Sequence, residues 1–215
     1  MTKEAKEAKE TPPRSARAAV TDFKRGLLRE AAKEVFSKKG IRDTSVREIA
    51  KAAGYATSAI YTHYGSVEEL YGDIVRESLE ILLGEIRAQL ADETGEGQRV
   101  SRCVRTLYRY YITRPRDFEL SFHLYDGIRP HGLNTELNTE LNAVMTSVFQ
   151  AIGEAFVADG LATEQDALAR STEASTYAFG LLLMFHTRRL FLLDQDADSL
   201  LDHYLNQVQS QPRRE

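Results

Sequence analysis

A short stretch of the N-terminal region carries side chains that donate and accept hydrogen bonds but hold no fixed negative charge. Groups of this kind suit the edges of DNA base pairs, because a carboxylate at the same place would be repelled by the phosphates. Hydroxyl groups and a histidine ring both have this capacity. The side chains concerned are Thr57, Ser58, Tyr61, Thr62 and His63.

Two short helices separated by a glycine are predicted to position these side chains. Thr44 or Ser45 suits the N-cap of the first helix, Glu48 stands where a capping box places its acid, and Gly54 suits a left-handed helix end. The second helix begins near Thr57, so the pair makes a helix-turn-helix whose second helix would lie in the major groove. An ordinary helical hairpin with a polar outer face is the alternative. The inward positions recur at helical spacing: Val46, Ile49, Ala50, Ala53, Ala59, Ile60 and Tyr64.

A series of sequence features occurs in register over residues 23 to about 70. They are an amphipathic first helix ending at Lys38-Lys39-Gly40, then Thr44-Ser45-Val46-Arg47-Glu48-Ile49-Ala50, Ala53-Gly54, Ile60-Tyr61-Thr62-His63-Tyr64 and Ser66-Val67-Glu68-Glu69-Leu70. With them the segment resembles the DNA-binding domain of the TetR (tetracycline repressor) family of bacterial transcriptional regulators. That family usually has a small aliphatic residue and a serine where this chain has Tyr55 and Ala56. Losing a side-chain cap at Ala56 costs about 1 kcal/mol unless Thr57 or Ser58 takes over, so we expect the third helix to begin one residue late.

The resemblance implies a ligand-responsive transcriptional regulator that binds DNA as a homodimer. A repressor on a palindromic operator, released by a small-molecule effector, is the expectation, and an activator with the same head is the alternative. A helical small-molecule-binding protein without DNA binding is an alternative from a different class. In the family a fourth helix joins head to body and the last two long helices form the dimer interface, which here are residues 163–192 and 197–209. Burial of those helices within one subunit is the alternative.

The predicted DNA contacts divide into base edges and phosphates. Base-edge contacts are assigned to Thr57, Ser58 and Thr62, and phosphate contacts to Tyr61, His63, Thr44, Ser45 and Lys51. Residues 1–20 are predicted to form a flexible arm, because Pro12-Pro13 breaks a helix and few apolar residues are present to dock it. Arg14 and Arg17 of this arm can reach a minor groove, and a solvated tail is the alternative.

The charge of the chain is unevenly distributed. Overall, 28 Lys and Arg stand against 32 Asp and Glu, a net charge of −4. Residues 1–66 hold fourteen basic and eight acidic side chains, a net charge of +6, which leaves −10 for the remainder. Such asymmetry is typical of a DNA-binding head on an acidic body, and a basic surface without a partner is the alternative.

Helical periodicity runs through most of the sequence, and no strand-type alternation competes with it. We predict an all-α fold with an N-terminal three-helix DNA-binding head, followed by a larger helical ligand-binding and dimerisation body. The predicted boundaries are residues 1–20 for the arm, 21–66 for the head and 67–210 for the body. Outside the helix-turn-helix, the predicted helices cover residues 22–38, 67–91, 98–113, 118–125, 133–158, 163–192 and 197–209.

A set of aromatic and polar side chains in the body is predicted to line a cavity for an apolar or aromatic small molecule. Ligand pockets are mostly apolar and contain a few polar groups that orient the ligand. Ordinary core packing of the same side chains is the alternative. The set consists of Tyr108, Tyr111, Phe118, Phe122, His123, Tyr125, Tyr177, Met184, Phe185 and His186.

Motifs typical of an enzyme or a metalloprotein are missing from the sequence. It contains no nucleophile elbow, phosphate-binding glycine loop or H-E-x-x-H pattern, and its five histidines and one cysteine do not stand at metal-ligand spacing. We therefore expect no catalytic residue, no metal and no cofactor. The single Cys103 fits a reducing cytoplasm, and the best apolar run, residues 178–185, is too short to cross a membrane. The expected location is the cytoplasm of a bacterium.

Overall fold

The architecture is helical in a computed structural model that describes residues 14–41, 43–93, 97–122 and 135–212. The described residues contain no strand, which confirms the predicted all-α fold. Their helices are α1 (Arg14–Lys39), α2 (Val46–Ala53), α3 (Thr57–Tyr61), α4 (Val67–Ala91), α5 (Arg99–Ile112), α6 (Pro115–Ser121), α7 (Thr135–Ala158), α8 (Ala167–His186), α9 (Arg189–Leu192) and α10 (Ala197–Gln209).

Two helices begin earlier than their periodicity predicts. Helix α1 starts at Arg14 rather than at residue 22, so it includes the last part of the predicted arm, and residues 1–13 lie outside the described part of the chain. Helix α6 starts at Pro115 rather than at residue 118, because proline is well suited to the first turn of a helix, where its missing N–H costs nothing. Its end at Ser121 also precedes the predicted end at residue 125.

The predicted single helix over residues 163–192 is wrong. Helix α8 begins at Ala167, and the chain leaves it at Thr187 before the short α9 starts. The break lies at Arg188, whose backbone is left-handed with a φ of 57°. Left-handed backbone is normally signalled by glycine or asparagine, so an arginine at this position gives no warning of a helix end.

The buried side chains form two clusters, and α4 belongs to both of them. The head cluster joins α1, α2 and α3 to the first half of α4, where Leu70, Ile74 and Leu79 are almost completely buried, and it also includes Leu120 of α6 and Leu141 of α7. The body cluster takes Leu82 and Ile86 from the second half of α4 and packs them against α5, α7, α8 and α10. One continuous helix therefore carries the base of the head and part of the centre of the body.

Helix α7 is long and apolar enough to cross a membrane, a property that the sequence analysis did not notice. Its side chains Val148, Ile152 and Phe156 are buried in the body cluster, together with side chains of α5 and α8. Length and apolarity are shared by core helices of globular proteins, and this packing is that of a core helix.

Candidate nucleic-acid interface

Helix α2 and the turn after it follow the local signals in the sequence closely. The Ser45 hydroxyl accepts a hydrogen bond from the Glu48 backbone N–H at 3.3 Å, and the Glu48 carboxylate accepts one from the Ser45 backbone N–H at 3.0 Å. This reciprocal arrangement is the predicted capping box. Gly54 ends the helix with a left-handed φ of 72°, and the Tyr55 N–H donates to the Ala50 carbonyl at 2.9 Å. The turn that aims α3 is thereby fixed.

Helix α3 is short and lacks a side-chain cap. It begins at Thr57, as the spacing predicts, and its N-cap is Ala56, whose methyl group offers no hydrogen bond. The expected delay by one residue is therefore wrong, since the helix starts directly after the uncapped Ala56. Ile60 and Tyr64 are 1% and 2% exposed, so they hold the inner face of α3 and the residues after it against the head cluster. The opposite face of α3 is left to the solvent.

Five of the eight side chains predicted to contact DNA lie on α3 or directly after it. Ser58, Tyr61 and Thr62 are exposed, with Tyr61 at 58%, while Thr57 and His63 are half-buried. The Thr62 hydroxyl donates to the Ala59 carbonyl at 2.6 Å, so its oxygen remains available as an acceptor. The arrangement gives a surface of uncharged hydrogen-bonding groups at the helix end, as base recognition requires. Contact with DNA itself stays a prediction for each of them.

The three predicted phosphate contacts on and before α2 differ in their placement. Lys51 is exposed in the last turn of α2, where its ammonium group is free to reach a phosphate. The Ser45 hydroxyl is exposed but already engaged by Glu48. Thr44 is only 8% exposed, and its hydroxyl donates to the Gly40 carbonyl at 2.7 Å, so it supports the turn before α2 and fits a phosphate contact least. Arg47, exposed on α2, is an additional basic candidate that the sequence analysis left out.

A buried carboxylate behind α3 joins three elements of the head. Asp73 of α4, 7% exposed, accepts a hydrogen bond from the Tyr64 hydroxyl at 2.5 Å. Arg25 and Arg29 of α1 contact the same carboxylate at 2.9 Å and 3.1 Å, and Arg76 of α4 also pairs with it. Burial alone would raise the pKa of Asp73, but the hydrogen bonds from Tyr64, Arg25 and Arg76 outweigh it and hold the pKa at about 2.

The low pKa of Asp73 predicts an acid-sensitive head. A carboxyl group whose pKa falls on folding contributes stability above its ordinary pKa of 3.8, and this contribution is lost as the pH falls towards about 2. We expect Asp73→Asn to lower the free energy of unfolding by about 2 kcal/mol near neutral pH. The difference from the unsubstituted protein should shrink below about pH 4, as urea unfolding at a series of pH values would measure. A difference that stays constant through the acid range would contradict the assignment.

Part of the predicted ligand-binding set comes together between α5, α6 and α8. Tyr111 and Phe118 lie with ring centres 5.7 Å apart, Phe118 and Phe122 are 5.1 Å apart, and the His186 ring lies 5.5 Å from Phe118. We call these four residues the aromatic cluster. The His186 Nε2 is 3.2 Å from the Tyr111 carbonyl oxygen. Phe179, missed by the sequence analysis, extends the cluster through contacts with Phe122 at 4.7 Å and Tyr111 at 6.1 Å.

The other members of the predicted ligand set lie elsewhere or outside the described residues. Tyr177 stacks on Tyr204 of α10 at 4.1 Å, and its hydroxyl donates to the Leu200 carbonyl. Tyr108 is buried in α5, Met184 is half-buried against the body cluster, and Phe185 is 44% exposed. His123 and Tyr125 fall in the part of the chain for which no placement is described. The predicted set is therefore divided among several places in the body.

Regulators from bacteria share sequence with part of this chain. Residues 28–74 match the family described as bacterial regulatory proteins, tetR family. The transcriptional repressor KstR2 of Rhodococcus jostii (strain RHA1) is 32% identical over 98 residues, which cover 46% of this chain and 48% of that protein. The transcriptional activator FasR of Mycolicibacterium smegmatis is 30% identical over 101 residues, 47% of this chain and 46% of that protein. The matches thus span about half the length of these curated relatives.

The likeness of the fold extends over most of the chain. The structure of the transcriptional regulator FadR from Bacillus subtilis in complex with stearoyl-CoA superimposes with a TM-score of 0.68 at 15% sequence identity. The match covers 86% of this chain and 97% of that one. At this identity the comparison establishes the architecture, a helix-turn-helix head followed by a helical body.

Proposed function

Because the chain belongs, through its head, to the TetR family of bacterial regulatory proteins, we propose that it is a ligand-responsive, DNA-binding regulator of transcription. The observation that carries this proposal is the outer face of α3, where Ser58, Tyr61 and Thr62 are exposed on a head with a net positive charge. Hydrogen-bonding groups at a helix end, on a head that also exposes Arg47 and Lys51, suit a major groove. A catalytic function has no comparable support in this arrangement.

The proposed assembly is a homodimer on a palindromic operator. Two copies of α3 related by a two-fold axis would enter successive major grooves about 34–36 Å apart. Helices α8 and α10 are the proposed interface, and large apolar side chains exposed near the end of α8 and on α9 support an uncovered surface there. They are Leu183, Phe185, Phe191 and Leu192, which are 44%, 44%, 85% and 79% exposed. Surfaces of this kind are typical of subunit interfaces.

The proposed effector is a small, apolar or aromatic molecule that binds in the body. The aromatic cluster supports this, because two of its members, Phe118 and Phe122, lie on or next to α6. Helix α6 in turn contacts α4, since the Tyr71 hydroxyl of α4 donates to the Leu120 carbonyl of α6 at 2.5 Å. The complex of a similar fold with stearoyl-CoA makes long acyl compounds a reasonable first class to test. An effector that binds more tightly to one of two conformations of the protein, which differ in the position of the heads, would change the affinity for DNA.

Repression by operator occupancy is the proposed mode of action, and its site is the bacterial cytoplasm, where the DNA is. An activator with the same head is the alternative, and the relatives of this chain include proteins of both kinds. The proposed division is a head of residues 21–66 and a body of residues 67–210, preceded by the predicted arm of residues 1–20, of which residues 14–20 belong to α1. An operator-binding protein would bind DNA at low salt and lose affinity steeply as salt is added. A helical carrier of small molecules would show no such binding.

The test of the proposed function uses a duplex selected by the full-length protein from a random-sequence pool. We expect Tyr61→Ala to weaken binding to all duplexes by a similar factor, with an unchanged salt dependence because the lost side chain is uncharged. Thr57→Ala should instead relax the preference at one base pair, at a cost of about 1–3 kcal/mol in discrimination. Thr139→Ala, on the exposed surface of α7, is the matched control and should leave binding unchanged. Failure of the unsubstituted protein to enrich any duplex at low salt would overturn the proposal.

A further inference from the structure

The position of α3 depends on contacts with neighbouring elements, because the helix is too short to be stable alone. It contains five residues and its N-cap provides no side-chain hydrogen bond. Isolated helices of that length are not stable in water, so packing and neighbouring hydrogen bonds determine where such a helix lies. Ile60 supplies an apolar contact, but apolar contacts are not directional and leave rotation of the helix weakly specified.

A directional bond does exist at the C-terminal side of α3. The Tyr64 backbone N–H donates to the Ile60 carbonyl at 2.9 Å, which attaches Tyr64 to the last turn of α3. The Tyr64 side chain is 2% exposed, and its hydroxyl donates to Asp73 of α4 at 2.5 Å. Hydrogen bonds weaken steeply when they bend, so this bond fixes an angle as well as a distance.

The acceptor of that bond is itself held rigidly. Arg25 of α1 contacts the Asp73 carboxylate at 2.9 Å, donates from Nε to the Tyr64 hydroxyl at 3.2 Å, and lies over the Tyr64 ring at 5.3 Å. Arg29 of α1 bonds to Asp73 at 3.1 Å and continues to Glu77, one turn further along α4, at 2.5 Å. The carboxylate therefore has little freedom to follow Tyr64 if that side chain moves.

We propose that Tyr64 and Asp73 are positioning residues for DNA binding, which hold the outer face of α3 at a fixed angle to α4 through the Tyr64 hydroxyl. Neither side chain touches DNA; each acts through the orientation of Ser58, Tyr61 and Thr62. This inference rests on the proposed function and adds to it the bond that sets the geometry of the base-contacting surface. Because α4 continues into the body, the hydrogen bond between Tyr64 and Asp73 makes the orientation of α3 depend on the orientation of α4.

The head offers a matched pair of substitutions for the test. Tyr64→Phe removes only the hydroxyl that joins α3 to α4 and leaves the pairs of Asp73 with Arg25 and Arg29. Tyr71→Phe removes a hydroxyl of similar burial from α4, one whose hydrogen bond to the Leu120 carbonyl at 2.5 Å joins α4 to α6. Tyr64→Phe loses the hydrogen bond to Asp73 and the one from Arg25, whereas Tyr71→Phe loses the one to the Leu120 carbonyl, so urea unfolding of both variants has to accompany the binding measurement. The comparison asks whether the bonds next to α3 matter more for DNA binding than one elsewhere on α4.

Binding to the duplex selected by the unsubstituted protein is measured for both full-length variants as a function of salt. We expect Tyr64→Phe to reduce affinity about tenfold, a change of about 1.4 kcal/mol, with an unchanged salt slope because no phosphate contact is lost. Tyr71→Phe should change affinity less than about twofold. Equal affinities for the two variants, or a salt slope lowered by about one in Tyr64→Phe, would overturn the proposal.

Amide hydrogen exchange separates this inference from the proposed function. Tyr64→Phe should speed the exchange of the backbone amides of residues 57–64 at least threefold or so relative to Tyr71→Phe, because α3 loses its directional restraint. If no duplex is selected at all, the proposed function fails while the exchange result still decides whether Tyr64 and Asp73 restrain α3. Identical exchange over residues 57–64 in the two variants would refute the restraint.

Discussion

Replacing Phe36 by alanine is expected to destabilise the head by about 3–5 kcal/mol, the largest effect predicted for a single side chain of this protein. Phe36 of α1 is fully buried, with 0% of its surface exposed. Its ring contacts the Tyr71 ring edge-to-face, with centres 6.2 Å apart. The cavity left by the substitution would separate α1 from α4, and helices α2 and α3 depend on both. DNA binding should be lost at temperatures where the body still keeps its helical structure.

The control for this substitution lies on the same helix. Phe23→Ala removes the same ring from a position that is 67% exposed, so it should change the free energy of unfolding by less than about 0.5 kcal/mol. Urea unfolding followed by circular dichroism measures both variants, and operator binding is measured in parallel. A Phe36→Ala variant as stable as Phe23→Ala would mean that the head does not pack around this side chain.

Replacing Gly72 by valine should have the second-largest effect. A Cβ at Gly72 would clash with Leu137 Cδ1 and would lie 2.9 Å from Leu137 Cγ, because α4 and α7 approach closely at this point. Valine adds two further methyl groups, so the Leu137 side chain has to leave its place or α7 has to shift, at a cost of about 1–3 kcal/mol. We expect a lower midpoint of thermal unfolding and weaker operator binding, since the start of α7 and the head-bearing part of α4 would no longer fit together.

Two further variants test the cause of that effect. Gly84→Val places the same side chain in the same helix where a Cβ has no neighbour within 4 Å, and it should change stability by less than about 0.5 kcal/mol. Leu137→Ala combined with Gly72→Val should recover part of the lost stability, because the clash is with the Leu137 side chain. If the double variant is no more stable than Gly72→Val, the close approach of α4 and α7 is not the reason for the loss.

Local signals in the sequence predicted the helix-turn-helix well, since each depends on neighbours a few residues away. Ser45 and Glu48 form a capping box within one turn, and Gly54 takes the left-handed backbone that only glycine adopts without strain. The break between α8 and α9 was missed for the same reason, because Arg188 adopts that backbone without being a glycine. Arg188 itself is exposed, whereas Leu190, two residues further on, is buried in the body cluster.

Contacts between distant residues were beyond prediction from periodicity. The sequence places Tyr64 on the inner side of the head, but it does not indicate that the Tyr64 hydroxyl would meet Asp73, or that Arg25 and Arg29 would arrive from another helix. The aromatic cluster shows the same limit. Tyr111, Phe118 and His186 do come together, whereas Tyr177 pairs with Tyr204 instead. Composition identifies aromatic residues, and the three-dimensional path of the chain decides which of them meet.

The shared helix α4 has a consequence for the engineering of chimeras. A head cut out as residues 21–66 would lack the α4 side chains that complete the head cluster, which are Leu70, Tyr71, Ile74, Val75 and Leu79. The fragment would expose that apolar face to water and would lack Asp73, the carboxylate that both Tyr64 and Arg25 contact. A transplantable unit therefore has to include α4 as far as Leu79, with the junction between Leu79 and Leu82, where the helix passes from one cluster to the other. The foreign body would also have to replace Leu120 of α6 and Leu141 of α7, which are buried in the head cluster.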